Sequence, residues 1–335
     1  MSRLNQNEDS LVRRIARAFA HEQGGGRNTL KGEVGDDAAL FAPRRGYETI
    51  LTCDWFLEGT HFLRDKHPAD AVGWKSLARA VSDIAAMGGQ PRCFLLSLAL
   101  PQACTGRWLD EFLGGLGRAA RKYCCFLAGG DTTRRKEILI NVTVVGEVRE
   151  GQAVLRSGAR PGDVIFVSGR LGEAELGLRL LRSAKAVANK RTAAVKKHLY
   201  PEPRLALGKW LADERLANAM MDISDGLSSD LPRLCAASGV GASIEEGKLP
   251  IVPTATDKRT QRYDGLQVAL NGGDDYELLF AVPREKAARI PRSFQDLLLT
   301  KIGEITRGRA ILRKDKNNRK LELAAGGWDP FRKKN

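Results

Sequence analysis

The first half of the chain alternates between short β-rich apolar segments and longer amphipathic segments. The predicted strands are residues 47–53, 94–100 and 138–148. Residues 70–87 predict a helix that Asp70 caps and Gly88 and Gly89 end. Residues 107–122 predict a second helix, although three glycines weaken the pattern. Strands and helices therefore follow one another within the same segment of chain.

The alternation resumes after a polar stretch, residues 149–163, which contains glycine, proline and several charges. The elements predicted beyond it are strands 163–169, 241–246 and 278–283 and helices 173–183 and 203–212. We therefore place a domain boundary here, with one domain over residues 1–150 and another over residues 151–335. The fold class predicted is α+β with two domains.

Composition is typical of a soluble globular protein, with 43% hydrophobic and 28% charged residues among 335. No apolar run approaches the roughly 18 residues that span a bilayer, so we expect no membrane association. The N-terminal twenty residues contain acids and no signal core, and Arg13 and Arg14 are expected on the polar face of a helix. Six cysteines without C-x-x-C spacing predict reduced thiols in a cytoplasmic protein, with Cys93, Cys124 and Cys235 in the core.

The formal net charge of +14 leaves two interpretations open. Basic residues gather in 179–197, in 307–320 and in the tail 332–334, and such clusters can bind nucleic acid. Because no recognition motif or aromatic stacking platform accompanies them, we favour a solvated surface that attracts phosphorylated small molecules.

Aspartates recur beside glycine or in short polar turns, where strands end and helices begin. They are Asp36, Asp37, Asp54, Asp83, Asp131, Asp222, Asp225, Asp274 and Asp275. Gathered carboxylates repel one another and are costly to desolvate, so a fold that collects them needs cations. Oxygen donors select a hard cation such as Mg²⁺, which commonly also holds substrate phosphates. The pattern predicts a Mg²⁺-dependent enzyme that handles phosphate.

Each acid also has an ordinary structural interpretation. Asp83 falls in the last turn of a predicted helix, where the dipole disfavours it, and Arg79 could pair with it at i,i+4; we favour metal ligation. Asp54 and Asp131 each follow a predicted strand and could be metal ligands or Asx turns. Asp225 could cap the next helix, an explanation that Asp222 lacks.

Two other features carry weaker signals. The glycine segment 169–177 lies between a strand and a helix but lacks the P-loop spacing and its lysine, so we interpret it as a structural turn. His61 is a lone histidine beside the acids, a position that is more often structural than catalytic. No Ser/His/Asp or Cys/His arrangement emerges, which argues against covalent acyl chemistry.

A series of motifs follows in order from about residue 30 to the end of the chain. They are GDDAAL (35–40), D-x-x-x-x-G-x-H-F (54–62), LARAVSDIAAMGG (77–89), AGGDTTR (128–134), RSGARPGD (156–163), SDGLSSDL (224–231), GGDDYELLF (272–280) and GWDPF (327–331). Together they resemble the thiamine-monophosphate kinase family, in the superfamily of aminoimidazole ribonucleotide synthetase, selenophosphate synthetase and a hydrogenase maturation factor.

The resemblance implies transfer of the γ-phosphoryl group of ATP to thiamine monophosphate, giving thiamine diphosphate and ADP. It also implies a two-domain PurM-like fold, in which strands of two N-terminal domains pair into a barrel across a homodimer, with ATP near that interface. Several Mg²⁺ ions would be bound by Asp36, Thr52, the backbone of Cys53, Asp54, Asp83, Asp131, Asp222 and Asp225. ATP would be bound by Asp36 through metal, Gly130, Asp131, Arg156 and Ser224. Thiamine monophosphate would be bound by His61, Asp274 and Trp328.

Two departures and two alternatives accompany this resemblance. Cys53 stands where the family usually has a hydroxyl residue, and Pro330 stands where histidine is common.

Selenophosphate synthetase would carry a reactive cysteine near its N-terminal glycine segment, whereas Gly24–Gly26 have none beside them, and the maturation factor would end in cysteine. The alternatives to a thiamine-monophosphate kinase are another ATP-dependent enzyme of the superfamily that acts on a different small substrate, and a basic nucleic-acid-binding protein.

Overall fold

The chain is described here by a computed structural model, and the described residues form two compact units. The described residues are 8–19, 30–31, 38–183, 192–253 and 263–331. The first unit comprises the residues up to Ile84 together with Gly89–Gly151, and the second comprises Ala85–Gly88 and the residues from Gln152 onward. Both contain helices and a sheet, which confirms the α+β class. No described helix combines the length and the apolar character that crossing a bilayer requires.

The elements up to Arg149 belong mainly to the first unit. Its helices are α1 (Glu8–Phe19), α2 (Ala69–Ala86) and α3 (Arg107–Tyr123), with a 3₁₀ turn at Gln102–Cys104. Its strands are β1 (Leu30–Lys31), β2 (Leu40–Phe41), β3 (Tyr47–Leu57), β4 (Gln90–Leu100), β5 (Phe126–Arg134) and β6 (Leu139–Arg149). Strands β1 and β2 pair with each other, and the other four form a sheet in the order β3-β6-β4-β5 in which only β4 and β5 are parallel.

Strand β3 is longer than its apolar pattern predicts, because it pairs with β6 over its whole length of 11 residues. Asp54 lies opposite Val142 in this ladder, so it sits within the strand. Asp131 likewise lies within β5, opposite Ser97 of β4. The expectation that both acids follow the ends of strands is wrong, since cross-strand hydrogen bonds carry each strand past its apolar segment.

The two faces of the four-stranded sheet differ in exposure. On one face Phe56, Leu96 and Val142 are buried, and α2 reaches this layer where the Ile84 side chain lies beside Gly146. On the other face Leu51 is 70% exposed and Trp55 54% exposed on β3, and Leu95 is exposed on β4, with β6 between these two strands. Helices therefore cover one face, while the described part of the unit leaves apolar side chains exposed on the other.

Helices α2 and α3 approach each other closely at two glycines. A Cβ atom on Gly73 of α2 would collide with the carbonyl oxygen of Phe112, and one on Gly115 of α3 would collide with that of Asp70. By contrast, a Cβ on the adjacent Gly114 would meet nothing nearer than Arg118 Nη1 at 4.0 Å. Glycine is therefore required at the first two positions for backbone packing, and the helix tolerates their low intrinsic propensity.

The second unit is built around a larger sheet. Its helices are α4 (Glu173–Arg182), α5 (Ala193–Leu199), α6 (Leu205–Asp213), α7 (Leu227–Ser238) and α8 (Gly265–Asn271), with 3₁₀ turns at Glu246–Lys248 and Arg284–Arg289. Its strands are β7 (Val164–Ser168), β8 (Ala219–Ile223), β9 (Gly241–Glu245), β10 (Glu277–Val282), β11 (Ser293–Phe294), β12 (Leu297–Thr306), β13 (Ile311–Lys314) and β14 (Lys320–Glu322). The sheet order is β14-β13-β9-β12-β7-β10-β8, and β11 pairs with β12.

Both faces of this sheet are buried. Alternate residues of β7 enter two different cores, with Ile165 in one and Phe166 in the other. Helix α7 packs through Leu231 into the first core, and helix α6 packs through Leu211 into the second. Continuous apolar strands such as β7, β8 and β10 are expected where a sheet has helices on both sides. The loops at the ends of these strands are thereby held on a rigid layer.

The cysteines agree with the predicted reduced state, with one exception in placement. All six are free thiols. Cys93 and Cys235 are buried as predicted, and burial raises the pKa of Cys235 to about 12. Cys124 is exposed, because it ends α3 in a left-handed conformation with φ of 52°, so its predicted core position is wrong.

We expect Gly115→Ala to lower the free energy of unfolding by about 2 kcal/mol or more, since a methyl group there would push α3 away from α2. Gly114→Ala is the matched control: its Cβ enters open space, and replacing a helical glycine should stabilise the protein by about 0.5–1 kcal/mol. Urea denaturation followed by circular dichroism measures both. Equal effects for the two variants would contradict the packing described.

Candidate functional site

A hydroxyl and two carboxylates lie together where β3 faces α2. Thr52 and Asp54 are two residues apart on β3 and so point to the same face of the sheet. The Thr52 hydroxyl donates a hydrogen bond of 2.5 Å to Asp83 Oδ2, and an Arg79 amino group lies 3.8 Å from Asp54 Oδ1. Arg79 and Asp83 are one turn apart on α2, which sets both against the strand. The group offers three oxygen-bearing side chains on two rigid elements.

Cys53 lies between these donors in sequence, but its thiol is on the opposite face of β3. Its sulfur contacts Asn141 of β6, 3.3 Å from Oδ1 and 3.1 Å from Nδ2. Only the backbone of Cys53 lies beside Thr52 and Asp54. The predicted role of Cys53 as a backbone ligand is therefore sterically reasonable, while its side chain is turned away.

His61 is in the turn that follows β3. Its Nδ1 accepts a hydrogen bond of 3.0 Å from the Leu57 amide, and its ring lies 5.9 Å from that of Phe56. Because Nδ1 accepts, the proton of the neutral ring is on Nε2. His61 is half-buried, and this tautomer places an N–H, the type of donor that suits an anionic oxygen, on Nε2.

Gly130 and Asp131 lie on β5, the opposite edge strand from β3. Two strands separate β5 from β3, which places Asp131 roughly 14 Å across the sheet from Asp54 at the usual strand spacing. A Cβ on Gly130 would collide with the carbonyl of Leu96, so only glycine allows this approach. Within the first unit, Asp131 therefore does not join the group around Asp83.

A small pocket of about 110 Å³ lies beside Gly130 and Asp131. Its apolar wall includes Val12 and Ile15 of α1, and its rim includes Thr132. The Thr132 hydroxyl is buried and has no hydrogen-bond partner among the described residues. Sequence reasoning missed this hydroxyl, although the AGGDTT segment contains it. An unsatisfied buried hydroxyl beside an apolar wall is suited to a polar atom of a bound ligand.

In the second unit, three segments that are far apart in sequence meet through their backbones. The Asp274 amide donates to the Ser224 carbonyl at 2.8 Å, and the Trp328 amide donates to the Asp225 carbonyl at 2.8 Å. Four predicted site residues are thereby brought together at one end of β8. The segments that carry them are separated by about 50 residues each along the chain.

Glycines make this convergence possible. A Cβ on Gly327 would collide with the Asp225 carbonyl and with Ser229, and one on Gly273 would lie 2.6 Å from the Ser224 carbonyl. Any larger residue at either position would separate the segments that bear Asp274 and Trp328. The glycines of GGDDYEL and GWDPF are therefore explained by close backbone approach.

Asp274 is held in a constrained geometry. It has φ of +67°, and Tyr276 two residues later has φ of +50°. The Tyr276 hydroxyl donates a hydrogen bond of 2.7 Å to Asp274 Oδ1, and His198 Nδ1 lies 3.9 Å from Oδ2. Left-handed conformations of non-glycine residues cost free energy and persist where the surroundings fix them. The carboxylate of Asp274 is thus oriented before any ligand arrives.

The loop that carries Ser224 and Asp225 is organised by a residue that sequence reasoning did not single out. Asp230 Oδ2 accepts hydrogen bonds from the amides of Ser224 at 3.1 Å and Asp225 at 3.0 Å. Arg233 donates to the carboxylates of both Asp225 and Asp230. Burial, followed by the Asp225 charge, raises the pKa of Asp230 to about 6. The signal was present in SDGLSSDL, where an acid in the first helical turn can reach back to loop amides.

The expectation that Asp225 caps the following helix is wrong. Helix α7 begins after Gly226, which supplies no side-chain cap, and the Asp225 carboxylate pairs with Arg233 at 2.5 Å. Asp222 lies within β8 and is only 3% exposed. Arg156 is exposed, and its carbonyl accepts a hydrogen bond of 3.0 Å from Ser238.

The glycine segment at 169–177 is a structural turn, as predicted. At the start of α4 the amide of Ala174 donates to the buried carboxylate of Asp275 at 3.0 Å, and the amide of Gly172 also donates to it. An internal carboxylate therefore fills the position that a phosphate would take at this helix N-terminus. Burial raises the pKa of Asp275 to about 7.

Glu277 anchors the other end of the GGDDYEL segment. Burial alone would raise its pKa, but Lys197 and Arg204 lower the pKa of Glu277 to about 2. Arg204 Nε donates to it at 2.7 Å, and the Ser168 hydroxyl donates at 2.6 Å. This buried ion pair fixes the start of β10 directly after Asp274 and Tyr276.

The described residues cover all but one of the predicted metal ligands. Asp36, with its neighbour Asp37, lies outside the described residues. Within the described ranges, no group of three or more histidine, cysteine, aspartate or glutamate side chains is arranged to hold a metal ion. The Thr52, Asp54 and Asp83 group is not of that kind, because it has two carboxylates and its third donor is a hydroxyl. Its all-oxygen donor set is of the kind that Mg²⁺ prefers.

Comparison with known proteins agrees with the motifs. The family described as AIR synthase related protein, N-terminal domain, matches residues 35–148, and the corresponding C-terminal domain family matches residues 160–314. Thiamine-monophosphate kinase of Bacillus subtilis (strain 168) is 36% identical over 308 residues, covering 89% of this chain and 93% of that protein.

Solved structures show the same relationship. Thiamine-monophosphate kinase from Stenotrophomonas maltophilia K279a has a TM-score of 0.79 at 37% identity, covering 90% of this chain and 95% of that one. AaThiL complexed with AMPPCP and TMP has a TM-score of 0.73 at 32% identity, covering 98% of this chain and 99% of that one. The two-domain PurM-like fold and the resemblance are confirmed: this chain belongs to the thiamine-monophosphate kinase family of AIR synthase related proteins.

Proposed function

We propose that this protein transfers the γ-phosphoryl group of ATP to thiamine monophosphate, giving thiamine diphosphate and ADP. The observation that carries the proposal is the convergence of Ser224, Asp225, Asp274 and Trp328 through direct backbone hydrogen bonds. The relatives that bear this name, and the AaThiL structure that holds AMPPCP together with TMP, supply the chemistry for which such a site would be used.

Thiamine monophosphate combines a cationic ring with an anionic phosphate, and the two need different partners. The oriented carboxylate of Asp274 and the half-exposed indole of Trp328 suit the cationic thiazolium, the first by charge and the second by its π face. The Nε2 proton of His61 suits a phosphate oxygen. Tyr276 and His198 contribute by keeping the Asp274 carboxylate in place.

We place Mg²⁺ on the oxygen donors of the acidic motifs. Thr52, Asp54 and Asp83 fit the ion by their shared position and hard donor atoms. The remaining proposed ligands, which would hold further Mg²⁺ ions, are the backbone of Cys53, Asp36, Asp131, Asp222 and Asp225. When bound, these ions would neutralise phosphate charge and polarise the transferred group.

The nucleotide is assigned to residues that combine open backbone with polar groups. We propose Gly130, Asp131, Arg156 and Ser224 as direct contacts, and Asp36 as a contact through metal. The pocket beside Gly130, with the unsatisfied hydroxyl of Thr132, adds a polar position at the same edge of the first unit's sheet. Arg156 is exposed and forms no ion pair with the residues that the structure describes, so it can reach a phosphate without first breaking one.

The chemistry needs no protein base. A phosphate oxygen of thiamine monophosphate attacks the γ-phosphorus of ATP; one P–O bond forms, the bond to the β–γ bridging oxygen breaks, and ADP leaves with that electron pair. The attacking oxygen is already anionic at neutral pH, because the second pKa of a phosphate monoester is about 6. The protein's task is to align two anions and offset their repulsion, for which Arg156 supplies a guanidinium.

We also propose a homodimer in which strands of the two N-terminal domains pair into a barrel, with the open face of each four-stranded sheet turned inward. Leu51 and Trp55 on β3 and Leu95 on β4 are exposed apolar side chains on that face, and an exposed apolar sheet face usually marks an interface. A second copy is the occupant whose own sheet offers the same apolar face. The six free thiols fit a reducing compartment, and we place the enzyme in the cytoplasm.

Activity is the first test. With ATP and Mg²⁺, we expect thiamine monophosphate to be converted to thiamine diphosphate, while free thiamine and aminoimidazole precursors are not phosphorylated. Chromatography of products from γ-³²P-labelled ATP follows the transfer and shows whether label stays on the protein. Product from free thiamine, no product from either, or a labelled protein intermediate would contradict the proposed direct transfer.

Trp328→Ala should weaken thiamine monophosphate binding by about tenfold, since a cation–π contact is worth about 1–2 kcal/mol when desolvated. ATP binding should change little. Phe331→Ala is the control, because Phe331 is on the same terminal segment and is 93% exposed. Calorimetric titration of both ligands separates the outcomes, and equal losses for the two ligands would assign Trp328 a purely structural role.

Cys53→Ser should leave the Mg²⁺ dependence of turnover intact, because the Cys53 side chain faces Asn141 rather than Asp54 and Asp83. Thr52→Val is the matched comparison: it removes the neighbouring hydroxyl that contacts Asp83 and should raise the Mg²⁺ concentration needed for half-maximal rate. Rates across a Mg²⁺ series measure both. A folded Cys53→Ser protein that loses all activity would refute this assignment.

The dimer has a direct test in solution. We expect the wild-type protein to sediment as a dimer, and the double variant Leu51→Glu/Trp55→Glu to sediment as a monomer, because each charge would be buried in the joined sheets. Leu298→Glu, at an exposed apolar position of the second unit, should leave the dimer unchanged. A monomeric wild type, or a double variant that remains dimeric, would remove the barrel from the proposal.

A further inference from the structure

The terminal segment, residues 324–331, is held on the second unit by few contacts. Leu323, just before it, is buried in one of the two cores, and its amide donates to the Ile311 carbonyl at 2.9 Å. Within the terminal segment only Gly327 is buried, and Trp328 is 42% exposed. Because the segment buries so little apolar surface of its own, its hydrogen bonds determine where Trp328 lies.

One of these hydrogen bonds joins the Trp328 amide to the Asp225 carbonyl, and a second lies two residues earlier in the chain. The Gly326 amide donates to Ser228 Oγ at 3.2 Å. Ser228 is in the first turn of α7 and is fully buried, and its hydroxyl donates to Asn271 Oδ1 at 2.7 Å. Since the single hydroxyl proton of Ser228 is directed at Asn271, its oxygen is left to accept from Gly326.

Asn271, the last residue of α8, is itself fixed by a hydrogen bond. Its Nδ2 donates to Gln267 Oε1, one turn earlier on the same helix, at 2.9 Å. With Nδ2 directed at Gln267, Oδ1 is the atom that faces Ser228. A chain of three hydrogen bonds therefore runs from Gln267 to the terminal segment, and consecutive hydrogen bonds strengthen one another.

Asn271 also packs directly against the terminal segment. A Cβ atom on Gly326 would lie 2.4 Å from Asn271 Oδ1, so only glycine allows the backbone to come this close. Asn271 is three residues before Asp274 in the chain. The same residue is thus linked to both groups that are proposed to bind the thiazolium, Asp274 through the chain and Trp328 through the terminal segment.

We propose that Ser228 and Asn271 are positioning residues that hold Trp328 at the thiamine ring, a role that rests on the proposed binding of thiamine monophosphate. Ser228 acts through the backbone of Gly326, and Asn271 acts through Ser228, so neither side chain has to touch a substrate. The residues proposed to bind ATP lie outside the terminal segment. Loss of this anchor should therefore affect one of the two substrates and spare the other.

Hydrogen–deuterium exchange of the ligand-free, full-length protein tests the anchor without any substrate. In Ser228→Ala the Gly326 amide loses its acceptor, and peptides spanning residues 323–331 should exchange about fivefold faster, the effect of one ordinary hydrogen bond. Asn271→Leu, which removes the acceptor that orients Ser228, should act in the same direction. The double variant should exchange no faster than Ser228→Ala, because both changes break one chain of hydrogen bonds.

Ser229→Ala is the matched control, since Ser229 is the adjacent serine of α7 and its hydroxyl makes no hydrogen bond with any residue that the structure describes. Its exchange should equal that of the wild type. Thermal unfolding of each variant establishes that it is folded, and Asn271→Leu, at a half-buried helix end, tests the anchor even if Ser228→Ala destabilises α7.

Calorimetric titration and steady-state rates then test the role in substrate binding. Ser228→Ala and Asn271→Leu should each weaken thiamine monophosphate binding about fivefold and raise its KM, with kcat and ATP binding unchanged. Unchanged exchange in both variants would overturn the anchor, and faster exchange with unchanged thiamine monophosphate binding would overturn the positioning role.

Two further outcomes separate this role from others. Equal losses for ATP and thiamine monophosphate, or an equal loss in Ser229→Ala, would show a general effect on α7 and would also overturn the positioning role. A wild type that binds no thiamine monophosphate would refute the proposed function and the substrate role with it, whereas the exchange measurement would still decide whether Ser228 anchors the terminal segment.

Discussion

Close contact between backbones at two glycines is the constraint on which the second unit's site depends. The segments around Ser224, Asp274 and Trp328 can exchange hydrogen bonds only because Gly273 and Gly327 leave room for carbonyl oxygens. Buried carboxylates then complete the arrangement. Asp230 satisfies loop amides on one side, and Asp275 satisfies the first turn of α4 on the other. Burying these two carboxylates costs desolvation free energy. Hydrogen bonds from backbone N–H groups, which would otherwise be unsatisfied in the loops, offset that cost.

Residues that bind a ligand are therefore only part of what the motifs encode. In SDGLSSDL, Asp225 is a candidate ligand, whereas Asp230 orders the loop that presents it. In GGDDYEL, Asp274 is the candidate ligand, while Asp275 and Glu277 tie the same segment to α4 and to Lys197 and Arg204. Runs of acids that look redundant in sequence divide between recognition and support.

Periodicity predicted the elements well where local pattern decides them. Helices α2 and α3, and strands β4, β6 and β10, were found within a few residues of the predicted limits. The hydrophobic pattern failed to predict strands whose limits depend on pairing with segments far away in sequence. Asp54 lies inside β3 because β6 pairs along the whole strand, and the weakly apolar β13 was not predicted because it exists only by pairing with β9 and β14.

The candidate site shows the same division. The glycine and aspartate residues of the motifs identified the segments that form the site, because few other residues fit such turns. Partners far apart in sequence could not be derived from local pattern. The sequence spacing does not predict the hydrogen bond from Tyr276 to Asp274, which requires left-handed backbone at both residues. It also does not predict the hydrogen bond from Thr52 of β3 to Asp83 of α2. Such contacts depend on sheet register, which is a property of the whole unit.

The charges around the proposed site determine which cation can serve it. The acids proposed for catalysis and the phosphates of both substrates have the same sign, so a productive complex needs positive charge beside them. Several nearby cationic side chains are already engaged: Arg233 pairs with Asp225 and Asp230, and Lys197 and Arg204 pair with Glu277. Withdrawing one of these cations to serve a phosphate would leave a carboxylate unpaired, at a cost of several kcal/mol where that carboxylate is buried. Beyond the guanidinium of Arg156, the added positive charge is therefore best supplied from solution, and a hard divalent ion on carboxylate and hydroxyl oxygens meets that requirement while the internal pairs stay intact.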